Sequence, residues 1–315
     1  MDHVRLGRTG LSVPRISLGT NNFGGGILSE EIANKIMTHA LELGIDMFDT
    51  ADTYTDGDSE RMIGEFIKDR REEVIIATKV GREGDLDRKA PPNKSSVSRK
   101  NILYRLEQSL KNLQTSYVDL FYVHKYDSQI PLEETMTTLD SLVKQGKIRY
   151  IACSNYTKDQ IVESRRVADR LSLENFIAVQ NKYNIFDREM ENDVIPYCLE
   201  NGVGTLAYNP LYGGFLAGRY EHGKPPPVGS RATYRPPAWF SRINNEVNFQ
   251  RLDKIKEVAT KSGATLPALA LAWALRESRL TTAIVGASKS EQLDESAKAV
   301  NTKLSTETLN SLKTL

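Results

Sequence analysis

The chain has 315 residues, 39% hydrophobic and 26% charged, which is apolar material enough for a sizeable core. Its charges nearly cancel to a formal net +1, with no block of like sign, which argues against nucleic-acid or membrane partners. The longest apolar stretch, Leu266 to Leu275, is too short to span a bilayer, and Met1-Asp2-His3-Val4-Arg5 lacks a signal-peptide core.

The elements follow in order. Val4 to Val13, with Arg-Thr-Gly at a turn, predicts a short N-terminal hairpin. Eight strands are then expected at Ile16–Leu18, Ile45–Asp49, Val74–Lys79, Asp119–His124, Tyr150–Cys153, Ile177–Gln180, Thr205–Tyr208 and Ala283–Val285. Amphipathic stretches alternate with them, among them Ser29–Leu43, Arg99–Leu113 and Leu132–Gln145. Ser29 before Glu30 and Glu31 marks a helix start, and Gly44 and Gly146 mark helix stops. Eight strand–helix units over about 250 residues is the arithmetic of an α/β chain folded as a (β/α)8 TIM barrel, one domain over 1–315. A doubly wound sheet would want GxGxxG after the first strand, and Gly19-Thr20-Asn21-Asn22-Phe23-Gly24 has the wrong spacing.

One segment breaks the rhythm. Gly218 to Val247 carries Pro225-Pro226-Pro227 and Pro236-Pro237, and its Tyr234, Trp239 and Phe240 are candidates to close over a substrate. A helix over Asn248–Lys261 follows it.

Strand alternation points the chemistry to one rim. It puts Ile45, Met47 and Asp49 inside on the second strand, Ile75, Ala77 and Lys79 on the third, and Leu120, Tyr122 and His124 on the fourth. Any one of the three polar ends alone reads as an ordinary residue closing the barrel. Three in matching register on separate strands read as a site, and Asp49 offers Lys79 the partner that a buried charge requires. Four scattered histidines without HExxH, and two cysteines (Cys153 and Cys198) without CxxC, give neither a metal site nor a disulfide framework. A reduced, cytoplasmic protein fits this usage; oligomeric state is not legible.

The chain resembles the aldo-keto reductases. The residues that carry the likeness are Phe48-Asp49-Thr50-Ala51-Asp52-Thr53-Tyr54, Gly57-Asp58-Ser59-Glu60, Ala77-Thr78-Lys79-Val80 and Tyr122-Val123-His124. It continues through Cys153-Ser154-Asn155-Tyr156, Val179 to Asn184 and Tyr208-Asn209-Pro210-Leu211, and ends near Val285-Gly286-Ala287-Ser288. Within the family it resembles a bacterial-type member of the branch that looks like the potassium-channel β subunits. The resemblance implies a catalytic tetrad at Asp49, Tyr54, Lys79 and His124. Hydride reaching a carbonyl carbon leaves an alkoxide that needs a proton, which Tyr54 can supply. An ammonium such as Lys79 favours the phenolate, Asp49 holds that lysine, and His124 can donate a hydrogen bond to the substrate oxygen.

The hydride must come from a nicotinamide. By resemblance, Ser154, Asn155 and Gln180 bind its carboxamide, Tyr208 stacks on its ring, and Gly19 and Thr20 approach with backbone. By the same resemblance the cofactor-binding set includes Asn209 and Pro210, and Leu211 to Gly218, with its glycines and with Arg219 following, is the segment over the diphosphate. Gly286, Ser288, Lys289, Gln292 and Glu295 belong to the adenosine end, where a helix N-terminus suits a phosphate. Ser296 replaces a usual asparagine, and Gln292 stands where many members carry arginine. Both changes loosen the grip on a 2′-phosphate, while Ser288, Lys289 and Gln292 suit one, so NADP(H) is expected as the preferred cofactor, with room for NAD(H). A small carbonyl or alcohol is the expected partner, met by Asn22, Phe23, Tyr126, Phe186 and the loop aromatics. Two other functions compete: a Schiff-base aldolase working through Lys79, and a cofactor-binding regulatory subunit.

Overall fold

The computed structural model describes residues 1–81, 97–276 and 279–313. Strands β1 (His3–Arg5) and β2 (Ser12–Pro14) pair antiparallel as the N-terminal hairpin. The next eight close into a parallel barrel: β3 (Ile16–Gly19), β4 (Met47–Asp49), β5 (Ile75–Val80), β6 (Val118–Val123), β7 (Ile148–Ser154), β8 (Ala178–Lys182), β9 (Gly204–Tyr208) and β10 (Thr282–Gly286). β10 pairs with β3 to complete the ring, Ala283 opposite Ile16 through Gly286 opposite Gly19. This is the expected (β/α)8 architecture with its hairpin.

Helices separate the strands: α1 (Glu30–Glu42), α2 (Asp58–Ile67), α3 (Arg99–Asn112), α4 (Leu132–Lys144), α5 (Lys158–Leu171) and α6 (Val194–Asn201). Local signals set their ends. The Ser29 side chain accepts from Ile32 N, Glu30 and Glu31 sit at the positive end of α1, and Gly44 turns out of it at φ +74°. Thr157 and Gln160 form a reciprocal capping box on α5.

Alternation along the strands sorts side chains into two cores. Met47, Ala77, Leu120, Tyr122, Ala152, Ala178, Leu206 and Ile284 fill the barrel, while Phe48, Ile76, Phe121, Val123 and Val179 pack outward on helices. Leu6 and Val13 of the hairpin join the inner cluster, so β1 and β2 plug one end of the barrel. Ile45, expected inside, belongs to the outer core. It precedes β4, and its backbone N–H closes the α1 turn on Ala40 O, so the strand alternation has not yet begun there.

The proline-rich excursion holds structure of its own, a 3-10 turn over Arg231–Thr233 and the short helix α7 (Pro237–Ile243). It leads to α8 (Glu246–Ser262) and α9 (Leu266–Leu275) before β10. The apolar run noted in the sequence is α9, buried from Ala268 to Leu275, which is why it shows no polar face. α10 (Glu291–Asn301) and α11 (Thr306–Lys313) follow β10. Among the described residues no helix is long and apolar enough to cross a membrane.

Candidate active site

At the C-terminal strand ends opens a cavity of about 810 Å³. Its floor is the end of β4. Lys79 Nζ donates to Asp49 Oδ1 at 2.5 Å and to Thr50 O at 2.6 Å, and Gln180 Nε2 donates to Asp49 Oδ2 at 2.7 Å. Lys79 is fully buried and Asp49 3% exposed. Burial alone pulls the Lys79 ammonium down, but Asp49 and then Tyr54 outweigh it, so it titrates above a free lysine.

Tyr54 arrives from a loop rather than a strand. A 3-10 turn over Tyr54–Gly57 with left-handed Thr55 and Asp56 brings the ring back over the rim, its centre 5.1 Å from Lys79 Nζ. His124 stands one residue beyond β6, its N–H bonded to Val80 O, and its ring meets that of Tyr54 edge-on at 6.1 Å between centres. Asp49, Tyr54 and His124 line the cavity, while Lys79 sits behind it.

The residues expected around a carboxamide are linked to one another. Asn155, left-handed at φ +57°, donates from Nδ2 to His124 O and to Ser154 Oγ, and its Oδ1 accepts from the Tyr208 hydroxyl at 2.7 Å. Ser154 Oγ donates to Gln180 O at 2.8 Å. The result is a polar belt along the rim from β6 through β7 and β8 to β9. Gly19 and Thr20 are held by a second buried network. Thr20 Oγ1 donates to Asp49 O at 3.0 Å, and Ser59 Oγ contacts Thr20 Oγ1, Thr20 O and the Thr50 hydroxyl. Gly19 also needs to lack a side chain, because a Cβ there would stand 2.9 Å from Ile284.

At the far end, Arg219 bridges Ser288 Oγ at 3.2 Å and Gly229 O at 2.9 Å. Gln292 Oε1 accepts from Ser288 N at 2.8 Å and Lys289 N at 3.3 Å, capping the approach to α10. Glu295 pairs with Lys298 at 2.5 Å. Asn209, Pro210, Leu211, Gly286, Ser288, Lys289, Gln292 and Glu295 all face the cavity.

Of the predicted site residues, Gly218 lies outside this lining; at φ +71° it shapes the turn that delivers Arg219. The expected substrate aromatics mostly lie elsewhere. Phe23 is fully buried in the outer core, Tyr126 packs edge-on to Tyr156, and Phe186 packs edge-on to Tyr212. Asn22 and Tyr234 do line the cavity; Trp239 and Phe240 stand behind its wall. Gly213 and Gly214 of the Leu211 to Gly218 stretch line the cavity, and Ile27, Leu28, Arg231 and Arg235 are lining residues not singled out from the sequence. The cations of the proline-rich excursion were the available signal for the last two.

Chemically the cavity is graded. One end gathers Asp49, Tyr54, His124 and neutral amides; the other gathers Arg219, Arg231, Lys289 and a helix start. That set suits a long molecule with a carboxamide at one end and anionic groups at the other. Among the described residues no group of three His, Cys, Asp or Glu gathers to hold a metal. Residues 15–315 match the family model described as the Aldo/keto reductase family.

Proposed function

Because the chain belongs to the aldo/keto reductase family, whose members reduce carbonyls with NAD(P)H, we propose that it moves hydride between NAD(P)H and an aldehyde, ketone or sugar carbonyl with Tyr54 as the acid–base residue. The observation that carries this reading is the meeting of Tyr54 and His124 over the buried Lys79–Asp49 pair, on one wall of a dinucleotide-sized cavity.

The nicotinamide dinucleotide supplies the hydride when bound. Tyr54 gives its hydroxyl proton to the substrate oxygen, and takes it back in the oxidative direction. Lys79, kept charged by Asp49, stabilises the phenolate that Tyr54 becomes. His124 donates a hydrogen bond to the same oxygen, steering it and steadying negative charge as it develops. Ser154, Asn155 and Gln180 orient the carboxamide, and Tyr208 packs against the ring. Gly19 and Thr20 approach the nicotinamide half with backbone, and Asn209, Pro210, Leu211 and Arg219 hold the middle of the dinucleotide, with Gly218 setting the turn. Gly286, Ser288, Lys289, Gln292 and Glu295 hold the adenosine end. The Lys289 charge at the adenosine end favours NADP(H). Gln292 already occupies the Ser288 and Lys289 amides, which leaves room for NAD(H), since an anion at that turn must displace it.

We read the chain as an enzyme rather than a regulatory subunit, because all four tetrad residues are present, and by sequence resemblance as a bacterial-type member of the branch like potassium-channel β subunits. A Schiff base on Lys79 finds no support, since its nitrogen is fully buried and committed to Asp49 and Thr50 O. The test is turnover of a panel of aldehydes, ketones and aldoses with NADPH and NADH. Dinucleotide consumption with a carbonyl substrate is expected; tight dinucleotide binding with no turnover across the panel would favour a regulatory role instead.

A further inference from the structure

Two aromatics of the proline-rich excursion converge on one glycine of the cavity wall. Gly213 and Gly214, both left-handed at φ +69° and +94°, line the cavity. Behind Gly213 lies the Trp239 indole, so close that a Cβ on Gly213 would stand 2.6 Å from two of its ring carbons. Arg231, another cavity residue, comes up to the same glycine, its Cδ 3.6 Å from that Cβ position, and its guanidinium lies over the indole, 5.9 Å from the ring centre. The neighbouring Phe240 packs on Tyr220 at 5.4 Å between ring centres, and the Tyr220 hydroxyl donates to Gly213 O at 3.0 Å. Thus one side chain of α7 abuts Gly213 directly and the next reaches its carbonyl through Tyr220. Neither Trp239 nor Phe240 lines the cavity.

We propose that Trp239 and Phe240 are positioning residues for the dinucleotide: they brace the Gly213–Gly214 wall from behind and fix its spacing from Arg231. The proposal rests on the functional reading above, because it takes the cavity to be the dinucleotide site. A glycine pair in left-handed backbone is a soft segment by itself, free to take many conformations. An indole packed against that backbone, with the Arg231 side chain beside both, removes this freedom before the ligand arrives, which lowers the ordering cost of binding. Chemistry at Tyr54 and His124 lies on other strands, so the brace acts on retention of the dinucleotide and leaves proton transfer alone.

The experiment follows the dinucleotide's own fluorescence in titrations of the purified chain with NADPH and NADH, and times release of bound dinucleotide by a rapid chase. For Trp239→Ala the dissociation constant is expected to rise about tenfold, a size common for coupled neighbours. Release should quicken, the KM for dinucleotide should rise, and kcat at saturation should not fall. Trp239→Phe should restore most of the affinity. Gly213→Ala should reproduce the weakening, and Gly213→Ala with Trp239→Ala should cost less than the two effects summed, because the added methyl then meets no indole. Melting curves report whether each variant is folded, and if Trp239→Ala is not, the Phe and Gly213 variants decide. Unchanged binding in these variants, or a Phe variant no better than Ala, overturns the brace. If the wild-type chain binds neither dinucleotide, the functional reading falls and takes this inference with it.

Discussion

Gln180 on β8 and Asp49 on β4 face each other across the full width of the barrel and are joined by a 2.7 Å hydrogen bond. Lys79 holds the other oxygen of the same carboxylate. Asp49 is therefore gripped from opposite walls, and its burial raises its pKa against the opposing pull of Lys79 and Gln180.

Replacing Gln180 with Leu leaves Asp49 Oδ2 buried without its donor, which is expected to cost about 1–3 kcal/mol of stability in urea unfolding. Gln180→Glu sets a second carboxylate against the first. Like charges favour protonation of one of them, so that variant should be more impaired at pH 7 than at pH 5 relative to wild type. Equal stability of wild type and Gln180→Leu would show that the bond carries nothing.

The strand register made much of this legible in advance. Asp49, Lys79 and His124 end successive inward rows, and a period of two is enough to find them. Tyr54 was legible only through its motif, since a loop with left-handed Thr55 and Asp56 has no periodicity to read. The Gln180–Asp49 bond was not legible, because it joins residues 131 positions apart whose facing depends on barrel closure. Most of the expected substrate aromatics lie off the cavity for a related reason: Phe23 and Phe186 lie in or against the outer core, and a loop sequence does not say which way an aromatic turns, so that Tyr234 lines the cavity while Trp239 and Phe240 do not.

Lys79→Met strips the ammonium from a buried carboxylate. Breaking such a pair typically costs about 3–5 kcal/mol, so chemical denaturation should show a loss of that order. Borohydride in the presence of carbonyl compounds should leave wild-type Lys79 unmodified; a trapped adduct there would revive the aldolase reading.

His39 on α1 joins Glu42 Oε2 at 3.0 Å and reaches Asp294 Oδ1 on α10 at 2.9 Å. The hydrogen bonds of Glu42 and then Asp294 raise its pKa above the roughly 6.5 of a free histidine. Protonated His39 therefore stabilises the fold fully below that unfolded value, and the contribution is lost as pH rises through the folded value. Melting temperature followed from pH 5.5 to 8.5 should fall less steeply in His39→Gln than in wild type. Parallel profiles would remove the histidine from the account.

The most direct test of the functional account is Tyr54→Phe, assayed for carbonyl reduction and, separately, for dinucleotide affinity. Loss of the positioned proton donor should cut reduction by about 10²–10⁴-fold, while the dissociation constant for NADPH stays close to wild type. A Tyr54→Phe chain that kept most of its activity would contradict the assignment of Tyr54 as the acid.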